Sequence, residues 1–158
     1  PYGAFYYCKG LTSIEMSDGV TSIGNDAFHG CSGLTSIEIP DNVTELGSSA
    51  FSGCSKLESV MLGSGLTSIG YRTFYNCSSL SSIIIPENVT SIGSDAFRYC
   101  YELASVICQP VVPPTLGSSA FSSNKSGRII SVPEASVDAY KSSWSSYASY
   151  IQAMTESM

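Results

Sequence analysis

Apolar residues fall at positions 1, 4 and 6 of a unit that recurs every 23 residues, as in Leu34, Ile37 and Ile39 and again in Leu80, Ile83 and Ile85. The last two alternate with polar neighbours, the two-residue period of a strand with one buried face. Phenylalanine keeps the same cadence at Phe5, Phe28, Phe51, Phe74 and Phe97, and a cysteine follows each by three residues: Cys8, Cys31, Cys54, Cys77 and Cys100. A period of this length predicts stacked coils. One coil cannot bury its apolar face alone, and its neighbours complete the core.

Full repeats begin at Leu11, Leu34, Leu57 and Leu80; a fifth, from Leu103, is one residue longer and has Asn124 where the next cysteine would fall. Within each, a strand is followed by a site that is Gly19, Asn42, Gly65 or Asn88. The Gly/Asn interchange predicts a turn with positive φ there. A second short extended run, residues 43–46 or 89–92, closes at Gly47 or Gly93. The AFxxC segment has the spacing of one helical or 3₁₀ turn, which places Phe28 and Cys31 on the same inward side. After the NKSG loop, Ile130, Val132 and Pro133 repeat the Ile83, Ile85, Pro86 pattern and predict a sixth strand.

Beyond that strand the period changes. Val137, Tyr140, Trp144, Tyr147, Ala148, Ile151 and Met154 recur at three and four residues, the stripe of an amphipathic helix or a broken pair of helices that seals the last coil. The expected organisation is one domain, a solenoid over 1–133 closed by a helical cap over 134–158. At the other end Phe5, Cys8 and Leu11 would be left uncovered on an open face of the stack, so further repeats or a cap are expected to precede Pro1.

The consensus LxxIxIPxxVTSIGxxAFxxC resembles the BspA-like class of leucine-rich repeat, and the VPxxSVDAYK segment resembles the usual C-terminal finish of such domains. The resemblance implies a leucine-rich-repeat-like, right-handed stack of about six short-stranded coils. It also implies a secreted or cell-surface protein of a host-associated microbe, with a non-enzymatic binding or adhesion role toward a protein or glycan on a host or neighbouring cell. The alternatives are a structural spacer within a larger surface protein and, less favoured, a glycosidase-type accessory domain with Glu15 and Glu38 at its centre.

Charged residues make up only 13% of the 158, and the net charge is −6. That balance repels nucleic acid and anionic bilayers. No run of residues is apolar for long enough to span a membrane as a helix. Five cysteines in one row cannot all pair with each other, and the row reads as small core side chains whose S–H groups can point at loop carbonyls. Cys108, at the strand position of Ile39 and Ile85, reads as core too.

Candidate chemistry is sparse. His29, the single histidine, lies two residues before Cys31, but adjacent turn residues face different ways and nothing positions it as a base. Glu15 and Glu38 occupy the same outward position of adjacent coils, at about the separation of a retaining glycosidase pair, yet a flat strand ladder offers no cleft. Neither a zinc nor a calcium spacing is present, and no metal or other cofactor is expected. The most informative column is Glu15, Glu38, Met61, Ile84 and Ile107, which faces out and turns from acidic to apolar along the stack. An exposed apolar stripe marks partner contacts, so these five residues form the candidate binding site. Tyr6, Tyr7, Tyr71, Tyr75, Tyr99 and Tyr101 flank the AFxxC turns and make a second candidate surface.

Overall fold

The computed structural model describes residues 2–155; Pro1 and the last three residues of the expected cap lie outside it. Every coil from the second onward lays down two short parallel strands. One row is continuous: β1 (Ser22–Ile23), β3 (Glu45–Leu46), β5 (Ser68–Ile69), β7 (Ser91–Ile92) and β9 (Thr115–Leu116) pair in that order. The other row holds β2 (Ser36–Glu38) and β4 (Ser59–Met61) as one pair, then β6 (Ser82–Ile85), β8 (Ser105–Cys108), β10 (Ile129–Val132) and β11 (Ile151–Ala153) as a four-stranded sheet. The sixth strand expected from RIISVP is β10. Equivalent residues pair one repeat apart, Ser36 with Ser59 and Ile83 with Val106. The 23-residue period is thus the register itself.

The AFxxC segment forms a third wall, built of single turns closed by bonds to the residue three before, as in a 3₁₀ turn, and not of a continuous helix. Phe28 and Cys31 are both buried as expected. Alternate N–H groups do different jobs. Asp26, Phe28 and Gly30 donate to Ser48, Ala50 and Ser52 of the next coil, whereas Ala27, His29 and Cys31 donate back to Gly24, Asp26 and Phe28. Such alternation needs left-handed residues, found at Asp26, Ser49, Arg72, Asp95 and Ser119, and again at Gly30, Gly53, Asn76, Tyr99 and Ser123. A continuous helix would have turned every N–H along its own axis and left the neighbouring coil without partners.

The expected positive φ at Gly19, Asn42, Gly65 and Asn88 is not observed, because none of them is among the left-handed residues. The interchange has another cause. Asn42 and Asn88 donate through Nδ2 to the Asp18 and Ser64 carbonyls of the preceding coil, while a Cβ on Gly65 would run into the Asp41 carbonyl oxygen. The site selects either a side chain that bonds the previous coil or none at all.

Inside, six phenyl rings stack from Phe5 to Phe121 with centroids 5.1–5.4 Å apart and planes within 12°. The cysteines beside them are free thiols. Cys31, Cys54, Cys77 and Cys100 each donate from Sγ to the carbonyl of the phenylalanine 26 residues earlier, at 3.1–3.2 Å. Asn124 continues the ladder with a different donor, its Nδ2 lying 2.8 Å from Phe97 O. Burial pushes the Cys54 and Cys100 thiols up to about 12 and raises Cys77 and Cys108 as well, so all four stay protonated and unreactive.

The cap is more broken than the stripe suggested. It runs as a 3₁₀ turn (Glu134–Ser136), helix α1 (Val137–Ser143), a second 3₁₀ turn (Ser145–Tyr150) and β11. Ile151, expected on a helix, instead pairs with Ile130 and extends the sheet. A helix would have covered the rings but left the β10 edge unpaired. Trp144 and Tyr147 pack on Phe121 at 5.7 Å, one tilted and one edge-on, and close the ring column. Their polar ends are matched too: Tyr140 OH, Trp144 Nε1 and Ser136 Oγ donate to the Pro110, Pro114 and Val111 carbonyls of the lengthened fifth coil.

Candidate functional site

Strand alternation turns the outward column away from the core, and the structure divides it. Glu38 pairs with Met61, and Ile84 pairs with Ile107, but no strand pairing joins β4 to β6. The opposite row crosses the same boundary intact, through β5 and β7. The break is therefore one-sided, and it coincides with a local change of sequence. Leu62 and Gly63 replace the Ile–Pro pair found in the second and fourth coils, and a Cβ on Gly63 would stand 2.5 Å from Pro40 O. The third coil sits tight on the second there and leaves a groove of about 380 Å³ toward the fourth, lined by Val60, Met61, Leu62, Ile84 and Pro86 among others.

Met61 is 64% exposed and Ile84 49%, and they stand at this groove. Ile107, expected to be equally exposed, is half-buried, since β8 lies inside the four-stranded sheet and the column continues to Ser131, which is only 1% exposed. The apolar stripe is thus two exposed residues and a groove rather than three equal rungs.

At the acidic end, Glu38 lies on β2, but Glu15 lies on an extended segment outside any strand. A 3.3 Å bond from Thr35 N to Thr12 O ties that segment to the second coil. Both carboxylates are exposed and share a shallow cleft with Asp18. No wall desolvates either one, which is what an acid and base pair requires to divide their roles. His29 stacks on Tyr6 at 5.1 Å, with Nδ1 3.2 Å from Asp26 Oδ1, close enough for an ion pair when the ring is protonated. Cys31 is spent on Phe5 O. Among the described residues no three His, Cys, Asp or Glu side chains gather around a point as metal ligands would.

The tyrosines fall into two groups along the turn edge. Tyr6 and Tyr7 surround His29, while Tyr75, Tyr99 and Tyr101 follow one another farther along the stack. Between them stands a residue that the sequence reading passed over. The Arg72 guanidinium lies 4.9 Å from the Tyr71 ring and 4.6 Å from the Tyr75 ring, and its Nε donates to Asp95. The signal was present in YRTFYN, where Arg72 stands at the place of Asp26, Ser49, Asp95 and Ser119.

The repeat model for the BspA-type leucine-rich repeat region matches this chain six times over residues 1–128. The chain belongs to that family. A leucine-rich cell-surface protein of Faecalibacterium prausnitzii is 37% identical, covering 72% of this chain and 30% of its own, with a TM-score of 0.67. The Treponema pallidum leucine-rich repeat protein is 33% identical over 76% of this chain and 56% of its own, also at 0.67. Pneumococcal vaccine antigen PcpA, at 20% identity, covers 90% of this chain and 40% of its own with a TM-score of 0.66, and shares the fold. This BspA-type solenoid therefore spans only part of the first two relatives' lengths. No curated protein matches it. Among the described residues no helix is long and apolar enough to cross a membrane. Family and fold together indicate a repeat-based binding module of the kind found in bacterial cell-surface proteins.

Proposed function

We propose that this BspA-type solenoid is a non-enzymatic adhesion module of a secreted or surface-attached protein. In this reading it holds a protein of a host or neighbouring cell on the face carrying Glu15, Glu38, Met61, Ile84 and Ile107. The observation that carries it is the pair of exposed apolar side chains, Met61 and Ile84, beside a groove where one strand row is interrupted and the other is not. Large apolar side chains gathered at a concave break suit a partner's buried anchor, with the acidic end of the column as a polar rim.

The test is a binding screen of this chain and its parent protein against extracellular-matrix proteins, followed by the triple substitution Met61→Ser, Ile84→Ser, Ile107→Ser on any hit. Anchor residues of an interface each contribute roughly 2 kcal/mol or more, so the triple variant should weaken binding more than about a hundredfold while melting as a folded protein. Unchanged affinity would remove this face from the interface.

A further inference from the structure

The outer turns of the first three coils enclose a second recess, on a different wall from the strand face. Its floor is the second coil, where half-buried Ser49 and Gly53 and the nearly covered Ser52, 5% exposed, are the only lining residues. Tyr7 and His29 stand on one side and Arg72 and Tyr75 on the other. His29, Ser52 and Tyr75 hold the same place in successive coils. The gap is thus two ring steps wide, 5.1 and 5.4 Å in the phenylalanine column beneath. Glycine shapes it further. At Gly30 the space of a Cβ is already taken by the Tyr7 ring, but above Gly53 nothing lies closer than Gly30 itself. The result is a trough of about 450 Å³, within the size range of small-ligand sites.

Its charge is opposite to that of the molecule. Lys9 and Arg72 line it and no carboxylate does, on a chain whose net charge is −6, and the lining His29 has Asp26 as its own partner. Asp95 accepts from Arg72 Nε on the far side, but it also accepts from Arg98, so one carboxylate faces two guanidiniums. Arg72 keeps its terminal nitrogens for another partner, and its side chain remains 39% exposed. It does so from a left-handed backbone (φ 53°), at a position where every other full coil has Asp or Ser. Those shorter polar residues tolerate that conformation more readily.

We propose that this trough binds an anionic sugar residue, one that bears a carboxylate or a sulfate. The anion sits against Arg72, whose guanidinium supplies charge-assisted hydrogen bonds, while Lys9 on the opposite side adds longer-range attraction. Ser49 and Asn76 meet the ring hydroxyls over the covered Ser52 floor, and the Tyr7 and Tyr75 rings flank the sugar body. The lining is rich in hydroxyls and poor in apolar depth, which favours a saccharide over a peptide anchor. This site goes beyond the strand-face reading and stands or falls independently of it.

The experiment is an amide NMR titration of the ¹⁵N-labelled chain with 3′-sialyllactose, a sulfated heparin disaccharide and neutral lactose. One or both charged sugars should shift trough residues and bind less well as salt rises, with lactose at least about tenfold weaker. The responding sugar tells carboxylate from sulfate. Arg72→Gln should weaken binding by about tenfold or more. Ser52→Tyr should abolish it by filling the floor, at a position where Tyr6, His29 and Tyr75 already place rings. Lys9→Gln, on the exposed turn, provides a second charge variant should either of these lose its fold. The strand-face triple variant should bind the sugar normally. No response to either charged sugar at millimolar concentration, equal binding of lactose, or full binding by Ser52→Tyr would overturn the proposal. Displacement of the sugar by lower concentrations of a tyrosine-sulfated peptide would overturn it in favour of a protein ligand.

Discussion

Phe5 and Phe121 contribute the same ring to the same stack, yet within residues 2–155 they differ in what packs on them. Phe121 is fully buried beneath Trp144 and Tyr147, while Phe5, stacked on Phe28 at 5.2 Å, remains 39% exposed. The backbone follows the side chains. At the capped end the outer strand row forms four paired strands, whereas the first coil, with Ile14 and Met16 half-buried, forms none in that row. A strand in this fold is held by its neighbour, so order is transmitted along the stack rather than built into each repeat.

Removing Trp144 attacks that difference most directly. Trp144→Ala should cost about 3–5 kcal/mol in a denaturant melt, because it opens a cavity over Phe121 and strands the Pro114 carbonyl. A loss below about 1 kcal/mol would show that the cap does not stabilise the stack.

Alkaline pH probes the middle rungs. An unfolded thiol loses its proton near pH 9, whereas Cys54 and Cys100 hold theirs to about 12. Between those values the folded state binds more protons, so stability is intact below pH 9 and falls as pH rises, by about 1 kcal/mol per buried thiol per pH unit. A Cys54→Ala/Cys100→Ala double variant should show a shallower decline in melts taken from pH 8 to 11.

Asn124→Ala tests the rung where the ladder changes donor, and should cost about 1 kcal/mol by removing the Nδ2 bond to Phe97 O, which keeps only the longer bond from Cys100 N–H. Asn124→Cys should restore part of it. The smallest effect belongs to the first ring of the column: Phe5→Ala in this chain, at a ring 39% exposed, should cost under about 2 kcal/mol, less than Trp144→Ala. Equal losses at the two ends would break the comparison.

Much of this was legible in the sequence. The inward positions, both strand rows, the sixth strand and the role of the thiols follow from the cadence, because Ile37, Ile83 and Val106 meet the same surroundings in every coil. The Gly/Asn site misled because a short side chain at Asn42 can mean either a left-handed backbone or a bond to the coil below, and only the packed neighbour distinguishes them. Ile151 misled because three- and four-residue spacing also fits a helix that ends in a strand. Of the candidate site, the outward direction of Met61 and Ile84 was readable, but the groove between them was not. It arises from Gly63 approaching Pro40, a contact between residues 23 apart.

The sequence by itself determined that the chain stacks, which residues face the core and where the stack is closed. Those properties depend on alternation and burial, which each repeat states again. Only the tertiary structure decided the one-sided break beside Met61 and the cationic trough over Ser52, because each depends on how particular coils differ where they touch. The period fixes what the rungs share, and recognition draws on what they do not.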